Sequence, residues 1–479
     1  MTRRTKKPQE EKTQVSLIRT LGFWGSFGMG FADIGADIFL ALGVVVAWAM
    51  GAAPLAFLVA SILYACTGLS YTELASTYPI AGGGSVYARK AFGDIAGFIA
   101  GWGLLLDYTI CIPLFALIAI GYLGFFIPTV IFAYIIIGPL HISVMGVIAA
   151  ILVVFLIVLN YLGIRESASL NIIFVTLCLI GLSILLIIGF LTVWNWAFLL
   201  GQIQWGVAPT ASSFLYSISI ATVSFIGLES ISEAAEETKD PGKTITRSTL
   251  ALITCIIFFT VTVSLLALGI VPWQLIAEGT ANPLAVVAIH LPWGAILAPF
   301  IAIIGVTICY VSANSGIVGV SRVSYEMSRS QLIPQWFNKL HSKYRTPHRS
   351  IILFSTIGVG LAFLGDLNLL VDLYAFGALI SYIMVNLALI QLRNSQPDKK
   401  RAWRVPGTLT IPWRNGKQIE VPIPAAIGVI ACFAVWLIVV LFKEFGRLAG
   451  FIWFLIGFLL YVLYRKSRGL SLRTQKDAS

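Results

Sequence analysis

Residues Ser26 to Gly43, S-F-G-M-G-F-A-D-I-G-A-D-I-F-L-A-L-G, set two carboxylates inside an apolar run from about Leu21 to Met50. About 20 apolar residues cross a bilayer, so Asp33 and Asp37 are expected within the membrane. An embedded carboxylate costs at least roughly 2.5–3.5 kcal/mol on insertion scales. The two stand at i and i+4 on one helical face, where like charges repel. Gly28, Gly30 and Gly35 weaken a helix over the same stretch. The expectation is a helix interrupted at mid-membrane, with carboxylates at the break facing a cation or a polar solute. The alternative is a pair of carboxylates engaged only with neighbouring helices.

The rest of the chain agrees with a membrane setting. Of its 479 residues 58% are hydrophobic and 11% charged, whereas an ordinary soluble chain carries about 25% charged residues. The net charge of +11 does not indicate nucleic acid, because Lys and Arg fall in the gaps between apolar segments and act as topology signals. All six cysteines lie inside apolar segments without a C-x-x-C pair, and the four histidines are scattered. Disulfides, a zinc site and any other resident cofactor are therefore not expected. No P-loop, nucleophile elbow or H-E-x-x-H appears, which argues against an enzyme. The polar, basic residues 1–12 lead into no cleavage-site pattern and are expected to form a cytoplasmic tail.

Twelve apolar segments follow, at about 21–50, 53–78, 95–127, 142–163, 168–193, 210–235, 246–271, 293–326, 350–365, 369–392, 422–442 and 448–464. They lack period-two alternation, which excludes a β-barrel. With the N-terminus inside, the inner gaps hold Arg89 and Lys90, Arg165, Lys239 to Arg247, Lys339 to Arg349, Arg393 to Lys417 and the C-terminal tail. The outer gaps hold only Lys443 and Arg447. This bias predicts a multi-pass cell-membrane protein with both termini cytoplasmic.

Three further segments carry polar groups. The third holds Asp107 in L-L-L-D-Y-T, which either serves a site or binds a neighbouring helix. The sixth, S-S-F-L-Y-S-I-S-I-A-T-V-S-F-I-G-L-E at 212–229, sets Ser224, Phe225 and Gly227 just before Glu229. Serine and threonine satisfy backbone groups freed where a helix breaks, and Glu229 is expected to cap or clamp that break. The eighth gathers Ser312, Asn314 and Ser315 beside Gly316, suited to a site or to close packing. Segments one and six are both interrupted by small and polar residues and lie five apart. That spacing suggests two five-helix repeats of inverted topology with the site between their first helices. Outside the spans, Y-P-I-A-G-G-G-S-V-Y-A-R-K-A-F-G-D at 78–94 is expected to form an amphipathic turn at the membrane surface, and 394–421 a solvated loop.

Four stretches, I-G-A-D-I-F-L-A-L-G (34–43), E-L-A-S-T-Y-P-I-A-G-G-G-S-V-Y-A-R-K-A-F-G (73–93), G-L-E-S-I-S-E-A-A-E-E-T-K-D-P (227–241) and S-R-V-S-Y-E-M-S-R-S-Q-L-I-P (321–334), resemble the amino acid–polyamine–organocation transporters. The likeness covers roughly residues 20–465. It implies an all-α, LeuT-like fold of ten core helices plus two, with helices 1 and 6 broken and the site lined by helices 1, 3, 6, 8 and 10. The implied division is a tail at 1–20, a core at 21–392 with repeats at about 21–193 and 210–392, a cytoplasmic loop at 393–421, two added helices at 422–464 and a tail at 465–479. The implied activity is secondary transport of amino acids or related amines by alternating access, coupled to protons or sodium. Gly35, Ala36, Asp37, Ser224, Phe225 and Gly227 would receive the substrate; Asp33, Asp37, Asp107 and Ser312 would serve ion coupling. Amino acid permeases usually show G-S/A-G-I-F at the first break, and here G-A-D-I-F puts Asp37 in place of the second glycine. A carboxylate there disfavours a second carboxylate and raises cationic amino acids, polyamines and inorganic cations. The alternative is therefore a potassium or polyamine transporter. Potassium importers of the superfamily resemble this chain at L-L-L-D-Y and at G-I-R-E-S-A (163–168), but Cys111 and Phe115 stand where they carry hydroxyls.

Overall fold

A computed structural model describes residues 19, 21–137, 140–163, 168–279, 281–412 and 418–472. The expectations for the N-terminal tail, for Arg165, for most of G-I-R-E-S-A and for the end of the C-terminal tail lie outside the described residues. Among the described residues, ten helical stretches are long and apolar enough to cross a membrane. The first, Phe23–Thr77, contains α1 (Phe23–Ala49), a 3-10 turn and α2 (Ala53–Thr77). Then come α3 (Gly83–Phe92), α4 (Asp94–Leu123), α5 (Val144–Tyr161) and α6 (Ala168–Thr192). The stretch Ala211–Glu233 is made of α7 (Ala211–Ala221), a 3-10 turn at Thr222–Phe225 and α8 (Glu229–Glu233). They are followed by α9 (Pro241–Leu268), α10 (Gly294–Arg329), the shorter apolar α11 (His348–Leu364), α12 (Leu367–Ser395), α13 (Ile423–Phe442) and α14 (Glu444–Ser467). Two short antiparallel hairpins, Tyr134–Ile137 with Leu140–Ser143 and Thr408–Pro412 with Gln418–Pro422, were not foreseen in an all-α reading.

Apolar content all round a helix calls for burial on every side. Helix α4 meets that condition, being buried from Ala100 to Tyr122 and packed along α10 and α12. Helix α1 packs on α6, α7, α9 and α10. Helices α13 and α14 lie outside this core against α12 and leave Ile430 and Leu463 about 70% exposed, as residues facing lipid do.

Polar contacts define two ends of the bundle. At the end near the N-terminus, Leu21 N–H donates to the Glu237 carbonyl at 3.0 Å and Lys239 N–H to the Leu21 carbonyl at 2.8 Å. There too, Arg89 and Arg465 each reach Asp94 at 2.8 Å, and Arg89 donates to Ser330 at 3.0 Å. Glu73, at the end of α2, is clasped by Arg393, by Arg401 at 3.2 Å and by the Val405 N–H at 2.7 Å. At the far end, Gln202 accepts from the Trp273 N–H at 2.7 Å, and Asn282 donates to the Gly121 carbonyl at 3.1 Å.

Three expectations are corrected. Helix α1 is continuous from Phe23 to Ala49, with no break at Gly35. Its glycines serve packing: a Cβ on Gly30 would lie 2.5 Å from Leu252 Cδ2 and 2.9 Å from Ile231 Cδ1, and one on Gly35 2.5 Å from the Phe31 ring. In an apolar medium the helical hydrogen bonds have no substitute, so glycine alone does not open the helix. Residues 83–88 form the buried half of α3, with Tyr87 fully enclosed, so Val86 and Tyr87 pack into the protein and Phe92 alone of the three expected surface anchors is exposed. The 394–421 segment is not wholly solvated, because Glu73 draws Arg401 and Val405 into the protein.

A buried carboxyl cluster as the candidate functional site

Between Ala221 and Glu229 the chain leaves the α-helix. After the 3-10 turn Ile226 is extended, and Gly227 takes φ +118°, which side-chain-bearing residues rarely adopt. The bend is packed against α1: a Cβ at Gly227 would lie 2.7 Å from Ile34 Cγ1 and 3.0 Å from Asp33 Oδ2. Gly227 N–H donates to the Tyr382 hydroxyl at 3.2 Å, and that hydroxyl donates to Glu229 Oε2 at 3.1 Å. Bend, α1 and α12 thus meet at one point.

Asp33, Asp37, Asp107 and Glu229 are each at most 1% exposed and lie within electrostatic reach of one another. Asp33 is the best satisfied. Ser230 Oγ donates to its Oδ2, Ser315 Oγ to its Oδ1 at 2.5 Å, and Ser312 Oγ to its carbonyl at 3.1 Å. Asp107 and Glu229 are electrostatic neighbours, and neither Asp107 oxygen has a hydrogen-bond partner among the described residues. Two ionised carboxylates would repel there, so the pair suits a proton, a cation or an amine. Asp37 has no hydrogen-bond partner on either oxygen among the described residues. Leaving a buried polar group so costs about 1–3 kcal/mol.

Aromatic rings wall this cluster. Phe225 stacks on Tyr64 with centroids 4.9 Å apart. The Tyr64 and Ser224 hydroxyls are buried without a partner among the described residues, and Tyr374 lies within reach of Asp37. A cavity of about 90 Å³ lies beside Asp33's serines, lined by Met29, Ala32, Tyr108, Ser230, Ser315 and Arg322. Since Arg322 pairs with Glu237 at 3.2 Å, this cavity faces the near end.

The structure brings Asp33, Asp37, Asp107, Gly227 and Ser312 together. Gly35 and Ala36 lie within the continuous α1, and so offer no unpaired backbone N–H to a substrate. Asn314 lines the near-end cavity beside Ser315, and its side-chain oxygen accepts from Asn160 at 2.6 Å. Glu229, expected only to cap a helix, is a member of the cluster. Its signal was a carboxylate placed two residues after a glycine inside an apolar segment.

Comparison with known proteins adds the family. The profile of the amino acid permease family matches residues 21–464. The branched-chain amino acid permease BcaP of Bacillus subtilis is 29% identical over 95% of this chain and 94% of its own. The methylthioribose transporter of the same organism is 27% identical over 97% and 98%. The low-affinity putrescine importer PlaP of Escherichia coli K12 is 27% identical over 79% and 82%. A profile match along nearly the whole chain, on a bundle of membrane-crossing helices around buried carboxylates, makes this protein a multi-pass membrane transporter, not an enzyme, that belongs to the amino acid permease family of the amino acid–polyamine–organocation superfamily.

Proposed function

We propose that the chain carries amino acids or related amines across the cell membrane by alternating access, with the amine seated among Asp37, Asp107 and Glu229. The observation that carries this reading is Asp37: fully buried, with neither oxygen partnered among the described residues, beside two further carboxyls. Ser224, Phe225 and Gly227 form the opposing wall, and Asp33 with Ser312 and Ser315 belongs to the coupling side, next to the near-end cavity. The coupling ion is a proton or sodium. The protein crosses the membrane twelve times, α1 and α2 counted apart and α11 included, with both termini cytoplasmic. Ten helices within 21–392 form two inverted repeats, 21–193 and 210–392, and α13 and α14 are additions. The 393–421 connection and the tails, 1–20 and 465–479, lie in the cytoplasm.

A second reading, transport of a polyamine or potassium, is favoured by charge. Arg393 and Arg465 are the only buried basic residues among those described, and they pair with Glu73 and Asp94 at the near end. Among the described residues the basic side chain beside the cluster is Arg322, which lines the near-end cavity and is already paired with Glu237 at 3.2 Å. The experiment is an uptake panel in proteoliposomes, with leucine, lysine, putrescine and potassium under imposed sodium and proton gradients. Saturable uptake of an amine-bearing solute is expected, with loss in Asp37→Asn and Asp107→Asn. Wild-type uptake by both variants would remove the cluster as the site; potassium uptake alone would select the second reading.

A further inference from the structure

The far end of the bundle holds a cluster outside the proposed site. Helices α13 and α14 are joined by one residue, Lys443. Its ammonium lies 4.5 Å from the Tyr216 ring centroid and 4.9 Å from that of Trp48. It also lies 3.7 Å from Asp372 Oδ2, while the Tyr216 hydroxyl donates to Asp372 Oδ1 at 2.6 Å. The Trp48 and Tyr216 rings meet edge to face, with centroids 4.7 Å apart. One cation therefore ties the end of α1 and the middle of α7 to the start of α12 and the outer pair α13–α14.

We infer that Lys443 is a gate residue: its contacts with Trp48, Tyr216 and Asp372 hold the far end of the transport path closed while the near-end cavity is formed. Helices α1 and α7 lead from this cluster toward the carboxyl site, at Asp37 and Gly227. Opening the path to the far side separates Trp48 and Tyr216 from α12, and Lys443 cannot then keep all three contacts. Interactions made in one conformation and lost in the other bias the equilibrium toward the first. The ammonium is well placed for this, since its side chain is only 24% exposed and cation–π attraction grows as water is excluded. The two outer helices, which pack against α12, gain through Lys443 a direct hold on the end of α1 and on α7.

The test needs no identified substrate. Hydrogen–deuterium exchange is compared for the wild type, Lys443→Met and Lys443→Arg in lipid nanodiscs. Loss of two cation–π contacts and one ion pair in Lys443→Met is expected to raise exchange about tenfold in segments 46–52 and 211–217. Exchange should fall at the near end, in segments 230–238 and 314–322, as the equilibrium moves to the far-open form. Lys443→Arg keeps a cation for both rings and should retain the wild-type pattern. A Lys443→Met protein with wild-type exchange at both ends overturns the gate. So does one exchanging faster at both ends, which would mark Lys443 as structural glue. An arginine variant behaving like the methionine variant overturns the assignment to the cation.

Discussion

Gly227→Ala is the sharpest probe of the packed bend. At φ +118° an alanine is strained, which costs about 1–3 kcal/mol. Its Cβ would sit 2.7 Å from Ile34 Cγ1, 3.0 Å from Asp33 Oδ2 and 3.1 Å from Asp33 Cγ. Both neighbours are buried, at 0% and 1% exposure, so neither has solvent to move into. Overpacking a core costs a further 1–3 kcal/mol or so, giving a loss of about 2–6 kcal/mol. The methyl would also push Asp33 off the Ser230 hydroxyl, so uptake should fall at least about tenfold even where protein remains folded. The control is Gly360→Ala in α11, where a Cβ meets nothing within 4 Å and φ is not positive. There a helical glycine gives way to alanine, and stability should hold or rise by up to about 1 kcal/mol. Thermal inactivation in detergent and uptake in proteoliposomes are measured on both variants. A Gly227→Ala protein as stable and as active as Gly360→Ala would refute the packed-bend argument.

Two other outcomes follow from the near end. Glu73→Gln strands Arg393, which is 2% exposed, together with Arg401, and should cost about 3–5 kcal/mol in thermal inactivation. Glu73→Leu combined with Arg393→Met should cost less than Glu73→Gln, because no charge is left buried alone at that pair. In a background without the six native cysteines, cysteines placed at 89, 243 and 343 should react with impermeant reagent from the cytoplasm, and those in 194–208 and 272–290 from outside. External reaction within 330–347 would overturn the twelve-crossing topology.

Much of the scaffold is legible in the apolar pattern, because a helix in lipid must be long and apolar and must satisfy its own backbone. The sequence segment at 95–127 becomes α4 at 94–123, and that at 350–365 becomes α11 at 348–364. The carboxylates were legible as costly groups. What surrounds them was not, because Asp107 and Glu229 are brought near each other across more than a hundred residues of chain, and no local pattern encodes that proximity. Glycine misled for a physical reason: the same residue that permits a bend also permits close approach, and only the neighbours decide. Gly30 faces Leu252 and Ile231 and stays helical; Gly227 sits at a true turn. The basic run at 399–404 looks solvated in isolation. Most of it is exposed, but Arg401 is drawn inward from elsewhere by Glu73, a carboxylate near the end of an apolar helix that requires cations.

The contrast between α1 and the 211–233 stretch has a mechanical consequence. Twenty-seven residues of continuous helix make α1 a rod of about 40 Å. Its midpoint is Ala36, between the two carboxylates, while Leu21, just before its start, is tied to residues 237–239 and Trp48 to the far-end cluster. A tilt of such a rod about its middle opens one end as it closes the other and leaves Asp33 and Asp37 nearly in place. Helix α7 packs on α1 and can follow it, because the turn at 222–228 separates α7 from α8. Glu229 can then keep its hold on Tyr382 while Tyr216 moves. On this argument a bend in only one of the two segments is sufficient for alternating access: the unbroken helix transmits the motion, and the interrupted one absorbs it.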